Sequence, residues 1–263
     1  MLETIRKIVI DASVLMKNNR FEVKTKDSPV NLVTDMDVAV EKFLREALEK
    51  AVPGIGFIGE EEAASAGALE AEYTAVVDPI DGTTNFVRGM PLSVISVALL
   101  KRGAPYIGVV YNPYTDELFC AEHGCGAYQN GRPIHVSARP LNEACYFTAW
   151  SLYKKEYAPP CFDLCQDIYY DIGDIRRLGV CALELCYLAA GRGELYFEIR
   201  VFPWDFAAAQ LILTEAGGFI GTVDYDAPIY TRPQPILAAN SAENFEYLKN
   251  KVKKHVPHIP YTD

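Results

Sequence analysis

The chain has 263 residues, 50% of them hydrophobic, and a formal net charge of −10. A chain of that size buries roughly three quarters of its unfolded surface without disulfide or metal staples. The charge argues against a nucleic-acid or acidic-membrane partner. Seven cysteines at irregular spacings suit a reducing cytoplasm better than a disulfide framework. Glu3, Arg6, Lys7 and Asp11 leave no signal-peptide core, and no uncharged run reaches membrane-spanning length.

Ile5, Ile8, Val9, Ala12 and Leu15 have helical spacing. Lys17 to Arg20 ends that helix, and Phe21 to Lys24 alternates like a short edge strand. The stretch Lys26-Asp27-Ser28-Pro29-Val30-Asn31-Leu32-Val33-Thr34-Asp35-Met36-Asp37 leads into a second helix. Its inner face carries Val40, Phe43, Leu44, Ala47 and Leu48. Thr34 is a natural N-cap, and Asp37 three positions on completes a capping box in the looser sense. Val52 to Ile58 reads as a strand broken by Pro53, Gly54 and Gly56, followed by Gly59-Glu60-Glu61-Glu62. Consecutive glutamates ordinarily form a solvated face. Ala63 to Glu72 reads as a surface loop.

Tyr73 to Val77 is an apolar run short enough for a buried strand. It ends in Asp78-Pro79-Ile80-Asp81-Gly82-Thr83-Thr84-Asn85-Phe86. Pro79 disfavours helical backbone at Asp78, and Gly82 permits an unusual backbone angle. Asp78 and Asp81 can aim oxygens at one point, and oxygen donors without His or Cys suit magnesium rather than zinc. A helix opening near Gly82–Thr84 would place N–H groups beside that metal, ready for an anion. Metal and anion pocket together point to phosphate-ester chemistry. A cation there also reconciles an acidic chain with an anionic substrate.

Ser93 to Leu100, Tyr106 to Tyr111, Leu118 to Ala121 and Ala127-Tyr128 read as strands of an antiparallel meander, with Asn130-Gly131 as a hairpin signal. Cys120, His123 and Cys125 lack a second pair of zinc ligands and sit in a glycine-marked turn. Tyr146 to Ser151 reads as a strand and Phe162 to Ile172 as a helix, with Arg176 to Gly179 its exit. Val180 to Ala190 is apolar on nearly every face and so a buried helix. Leu195 to Glu198 is a strand, and Pro203 opens a helix that stops at Gly217-Gly218. Asp205 by itself would be an ordinary helix-start cap, and Glu198 an exposed strand charge. Ile236 to Ala239 is the last strand, and Ser241 caps a final helix with a basic end.

The Asp78–Phe86 stretch, with Gly59-Glu60-Glu61 before it and Trp204-Asp205 after it, resembles the inositol monophosphatase family of magnesium-dependent, lithium-sensitive phosphatases. The resemblance runs from the first helix to Asn240. It implies a layered α/β fold, an αβαβα sandwich of the inositol monophosphatase and fructose-1,6-bisphosphatase kind. The halves expected are 1–137, α+β with an antiparallel sheet and most metal ligands, and 138–263, α/β and supplying Asp205. The resemblance also implies two Mg2+ ions, with a third near Glu60 as the family allows. The first lies among Glu60, Asp78, the Ile80 carbonyl and Thr83, and the second among Asp78, Asp81 and Asp205. Asp37 would hydrogen-bond Thr83, and that pair would take a proton from the attacking water. Gly82 and Thr83 would hold the phosphate through their N–H groups. Glu198 would contact substrate hydroxyls, while Cys181 stands where inositol-specific members usually carry a smaller residue.

The expected substrate is a small phosphorylated polyol or sugar, inositol-1-phosphate first, and the family suggests a homodimer. Fructose-1,6-bisphosphate and 3′-phosphoadenosine-5′-phosphate remain rival substrates of the same fold. Thr84-Asn85 stands where related nucleotide phosphatases carry Lys-Glu, which with Glu198 favours the polyol. A regulatory protein of RNA-synthesis assemblies is the alternative of a different class.

Overall fold

The structure, a computed structural model, describes residues 1–17, 21–26, 32–62, 64, 67–150, 154–223 and 227–256. The expected helix end at Lys17–Arg20, the stretch Asp27 to Asn31, part of the Ala63–Glu72 loop and Ser151 lie wholly or partly outside these residues. In chain order the first half comprises α1 (Leu2–Met16), β1 (Val23–Thr25), β2 (Leu32–Thr34), α2 (Asp35–Ala51), β3 (Gly56–Gly59), β4 (Tyr73–Asp81) and α3 (Thr83–Val87). It continues with β5 (Val94–Lys101), β6 (Ala104–Asn112), β7 (Glu117–Glu122), β8 (Ala127–Gln129) and β9 (Arg132–Ile134). The second half comprises β10 (Cys145–Ala149), α4 (Ala158–Tyr169), β11 (Asp174–Arg176), α5 (Cys181–Ala189) and β12 (Leu195–Val201). It ends with α6 (Pro203–Glu215), β13 (Phe219–Gly221), β14 (Gln234–Ala239) and α7 (Ala242–His255).

Strands β3 to β9 form one sheet in chain order. The expected meander is there, but β3 runs parallel to β4 and only the remaining pairs are antiparallel. A parallel pair needs a crossover rather than a hairpin, and the segment between Gly59 and Tyr73 makes it. The other sheet has the order β11-β10-β12-β14-β13, parallel from β11 to β12 and antiparallel beyond. Arg176, expected in a helix exit, instead ends β11, opposite Phe147.

Alternation along the strands sorts side chains into separate cores. Ala75, Val77, Ile95, Val97, Leu99, Ile107 and Val109 pack with Ile5, Val9, Val40 and Leu44 of α1 and α2. Val76, Val94, Ala98, Leu100 and Val110 point the other way, onto α5 and α6. Beyond those helices lies the second sheet, whose far face buries Tyr146, Leu195, Phe197 and Leu237 against α4 and α7. The layers are therefore α, β, α, β, α, as the resemblance implied.

Close approach in the middle layer depends on small residues. A Cβ on Gly108 of β6 would overlap the Ala208 carbonyl oxygen of α6. Ala207, Ala208 and Ala209 are all buried there. Helix α6, from the second half, thus lies directly on the sheet of the first. Among the described residues no helix is long and apolar enough to cross a membrane, and all seven cysteines are unpaired.

Candidate active site

The site is built around the end of β4. Asp78 pairs with Ser96 across the sheet, and the register shifts before Asp81 pairs with Val94. Pro79, which offers no N–H to a ladder, falls within that irregularity. Asp78 Oδ1 accepts the Ile80 N–H at 3.0 Å, which turns the chain so that Asp78 and Asp81 stay on one edge. Gly82 then takes φ +89°, and a Cβ there would lie 2.7 Å from Val180 Cγ2 and 2.9 Å from the Leu92 carbonyl oxygen. Only glycine fits. Thr83 starts the single-turn helix α3.

Asp37 serves as cap and site residue at once. Its Oδ2 accepts the Thr34 N–H at 2.7 Å and the Thr34 hydroxyl at 2.5 Å, closing the capping box of α2. Its Oδ1 lies 3.4 Å from Thr83 Oγ1, which also lies 3.1 Å from the Ile80 carbonyl oxygen. The single Thr83 hydroxyl proton therefore has two acceptors. Burial pushes the Asp37 carboxyl up to about 6, against the Thr34 hydrogen bonds and with the charge of Glu60 adding.

Glu60 follows β3, and Lys26 Nζ bridges it at 3.1 Å to Glu61 at 2.7 Å. Burial opposes the Lys26 ammonium, yet the charges and hydrogen bonds of both glutamates carry it above its ordinary value. Burial likewise pushes Glu61 up to about 7, with Lys26 opposing. Glu41 escapes sequence reasoning altogether. It is fully buried and accepts the Glu61 and Glu62 N–H groups at 3.0 and 2.7 Å, fixing the turn that presents Glu60. The available signal was its position four residues after Asp37 on the inward face of α2.

The second half supplies the rest. Asp205 lies in the first turn of α6, where its Oδ2 accepts the Phe202 N–H at 2.7 Å. Ser96 donates to the Trp204 carbonyl at 3.3 Å, joining this helix start to the strand beside Asp78. Ala182 N–H, in the first turn of α5, donates to Asp81 Oδ2 at 2.7 Å. Cys181 is buried next to it, and burial, then the charges of Glu198, Asp205 and Asp81, pushes its thiol well up. Glu198 is half-buried rather than exposed, and its Oε2 accepts the Tyr196 hydroxyl at 2.8 Å. Burial pushes Glu198 up to about 7, with the Tyr196 bond and the charge of Arg177 opposing.

These carboxylates feel one another. Asp78 is pushed well up by burial first, then by the charges of Glu60, Asp81, Asp205 and Asp37. Asp81 and Asp205 are pushed up by burial, with Asp205 adding at Asp81 and Glu60 at Asp205. The charges of Glu60, Asp78, Asp81 and Asp205 thus reach one another, although among the described residues no three His, Cys, Asp or Glu side chains form a tight metal-binding group. In each, one oxygen is engaged by Lys26, Ile80, Ala182 or Phe202. The set fits a divalent cation on two grounds. Its donors are hard oxygens of the kind Mg2+ takes, and the buried Asp78 and Asp81, with the half-buried Glu60 and Asp205 acting on them, are costly to ionise unless a cation offsets their charge.

The model of the "Inositol monophosphatase family" matches residues 4–256. The chain is similar to "Inositol monophosphatase 3" of Solanum lycopersicum, 41% identical over 196 residues, which is 73% of each chain. It is 39% identical to "Nus factor SuhB" of Pasteurella multocida over 197 residues, covering 74% of this chain and 73% of that one. The solved structure of the extragenic suppressor protein suhB of Bartonella henselae superimposes with a TM-score of 0.88 at 32% identity, covering 97% of this chain and 98% of that one. The chain belongs to the inositol monophosphatase family.

Proposed function

We propose that this chain hydrolyses the phosphate monoester of a small polyol, inositol-1-phosphate first, by direct transfer of the phosphoryl group to water. The family's members are in general Mg2+-dependent phosphatases that act on phosphorylated substrates. One observation carries the finer reading: the Thr83–Asp37 contact lies on the turn that also presents Asp78 and Asp81.

Glu60, Asp78, the Ile80 carbonyl, Asp81 and Asp205 would hold two Mg2+ ions, with a third near Glu60. Bound there, Mg2+ would supply positive charge to phosphate oxygens and lower the pKa of water. Thr83 Oγ1 takes the proton of the attacking water and passes its own to Asp37 Oδ1. The Gly82 and Thr83 N–H groups hold the phosphate as charge develops on it. Glu198, kept in place by Tyr196, accepts substrate hydroxyls, and Cys181 narrows the space beside it. No side chain in this scheme is a phosphoenzyme nucleophile. A cytoplasmic setting and a homodimer belong to the same proposal; the unpaired cysteines support the first.

Phosphate release from inositol-1-phosphate, fructose-1,6-bisphosphate and 3′-phosphoadenosine-5′-phosphate, each with and without Mg2+, tests this reading. Mg2+-dependent release that is fastest from inositol-1-phosphate is expected. Faster release from either rival replaces the substrate, and none from any of them removes the activity. The similarity to a protein named a Nus factor favours a second reading, a regulatory role in an RNA-synthesis assembly. That role would survive in an Asp81→Asn variant that has lost phosphatase activity.

A further inference from the structure

Glu184 is a fully buried acid outside the proposed machinery. It lies in the first turns of α5, where a helix N-terminus favours negative charge. Its Oε1 accepts the Leu178 N–H at 2.7 Å. Its Oε2 is buried and, among the described residues, has no hydrogen-bond partner. Burying a carboxyl in this way costs stability. A role limited to capping α5 leaves unexplained why it bonds backbone that precedes the helix.

Leu178 is fixed at both ends of its backbone. Its N–H is held by Glu184, and its carbonyl accepts Asn85 Nδ2 at 2.9 Å. The same Asn85 Nδ2 donates to the Leu92 carbonyl at 2.9 Å. Val180, two residues on, meets the space in which Gly82 lacks a Cβ. Ala182 N–H holds Asp81 Oδ2. Residues 178–184 of one half are thus the template against which the Asp81–Asn85 turn of the other half is set.

We propose that Glu184 is a positioning residue that, through Leu178 and Asn85, fixes the turn carrying Asp81, Gly82 and Thr83. The proposal rests on the phosphatase reading of that turn. Glu184 touches no reacting atom in it. Its contribution is preorganisation, since small misplacements of catalytic groups cost large factors in rate.

The test uses the full chain as wild type, Glu184→Gln, Glu184→Ala, Asn85→Ala and the Glu184→Ala/Asn85→Ala double variant. The readouts are kcat and KM for inositol-1-phosphate with Mg2+, the inhibition constant of inorganic phosphate, and hydrogen exchange over residues 82–87. Glu184→Ala and Asn85→Ala are each expected to lower kcat about tenfold, weaken phosphate inhibition and speed exchange. The double variant should be little worse than either single, because the two residues act through one chain of bonds. Glu184→Gln retains the acceptor for Leu178 and should restore turnover and protection. If Glu184→Ala does not fold, Glu184→Asp, one methylene shorter, is read in the same way.

A Glu184→Ala protein that loses thermal stability while keeping kcat, phosphate inhibition and exchange would show a plain helix cap and overturn the proposal. Fully additive losses in the double variant would also overturn it. Absence of Mg2+-dependent turnover in the wild type would instead overturn the phosphatase reading, while the exchange comparison would still decide whether Glu184 orders the turn.

Discussion

Ser96, paired across the sheet with Asp78, donates its hydroxyl proton to the Trp204 carbonyl at 3.3 Å. A strand of the first half thereby grips the residue before Asp205. A hydroxyl that carries no charge thus links the strand paired with Asp78 to the helix start of Asp205. Ser96→Ala should keep the fold and lower turnover roughly threefold to tenfold, as expected for a neutral hydrogen bond of about 1 kcal/mol. Titration of activity against Mg2+ should show half-maximal activity reached only at a higher concentration. An unchanged Mg2+ curve would detach Ser96 from the site.

Asp81 is held by the Ala182 N–H, and asparagine retains an acceptor for that bond. Asp81→Asn should therefore fold with a near-normal melting temperature. Removing one of the crowded charges should abolish Mg2+-dependent phosphate release, by on the order of a hundredfold or more. Substantial retained turnover would end the assignment of Asp81 as a metal ligand.

Thr83→Ala removes the oxygen between Asp37 and the attacking water. The expected signature is a fall in kcat with little change in KM, as for an interaction made only in the transition state. Thr83→Ser should recover most of the loss. A variant that binds poorly but turns over normally would place Thr83 off the proton path.

Burial raises the Glu184 carboxyl from 4.5 to about 8, with the Leu178 bond opposing. A raised folded-state value means that stability is fully present below pH 4.5 and is lost as pH rises towards 8. Glu184→Gln does not titrate, so its stability relative to wild type should improve between pH 4 and pH 9 by on the order of 5 kcal/mol. Urea denaturation across that range measures it. Parallel stability curves for the two proteins would show that Glu184 ionises freely in the fold.

The motif residues were legible because the sequence itself places them in one turn: Asp78, Asp81, Gly82 and Thr83 need no tertiary information to be grouped. Asp205 and Glu198 were legible only by resemblance. Locally they read as a cap and an exposed strand charge; Asp205 does make the capping bond to Phe202 N–H, whereas Glu198 is half-buried and accepts the Tyr196 hydroxyl. Strand β11 was missed because Asp-Ile-Arg shows no apolar run; it is a strand only through its register with β10. The parallel setting of β3 depends on a crossover that periodicity does not encode. Glu41 and Glu184 were hidden inside good helical patterns, since charge on an inward face is visible only once the face is known to be inward.

The bare backbone of Gly108 under Ala208 has a bearing on engineering. Bulk added at Gly108 would wedge α6, the helix that carries Asp205, off the sheet. On the phosphatase reading, selectivity would be redesigned through Cys181 and Glu198, while the seam beneath keeps its smallest residues. Directed libraries that spare that seam should yield new substrate ranges, and libraries that vary it should yield inactive protein.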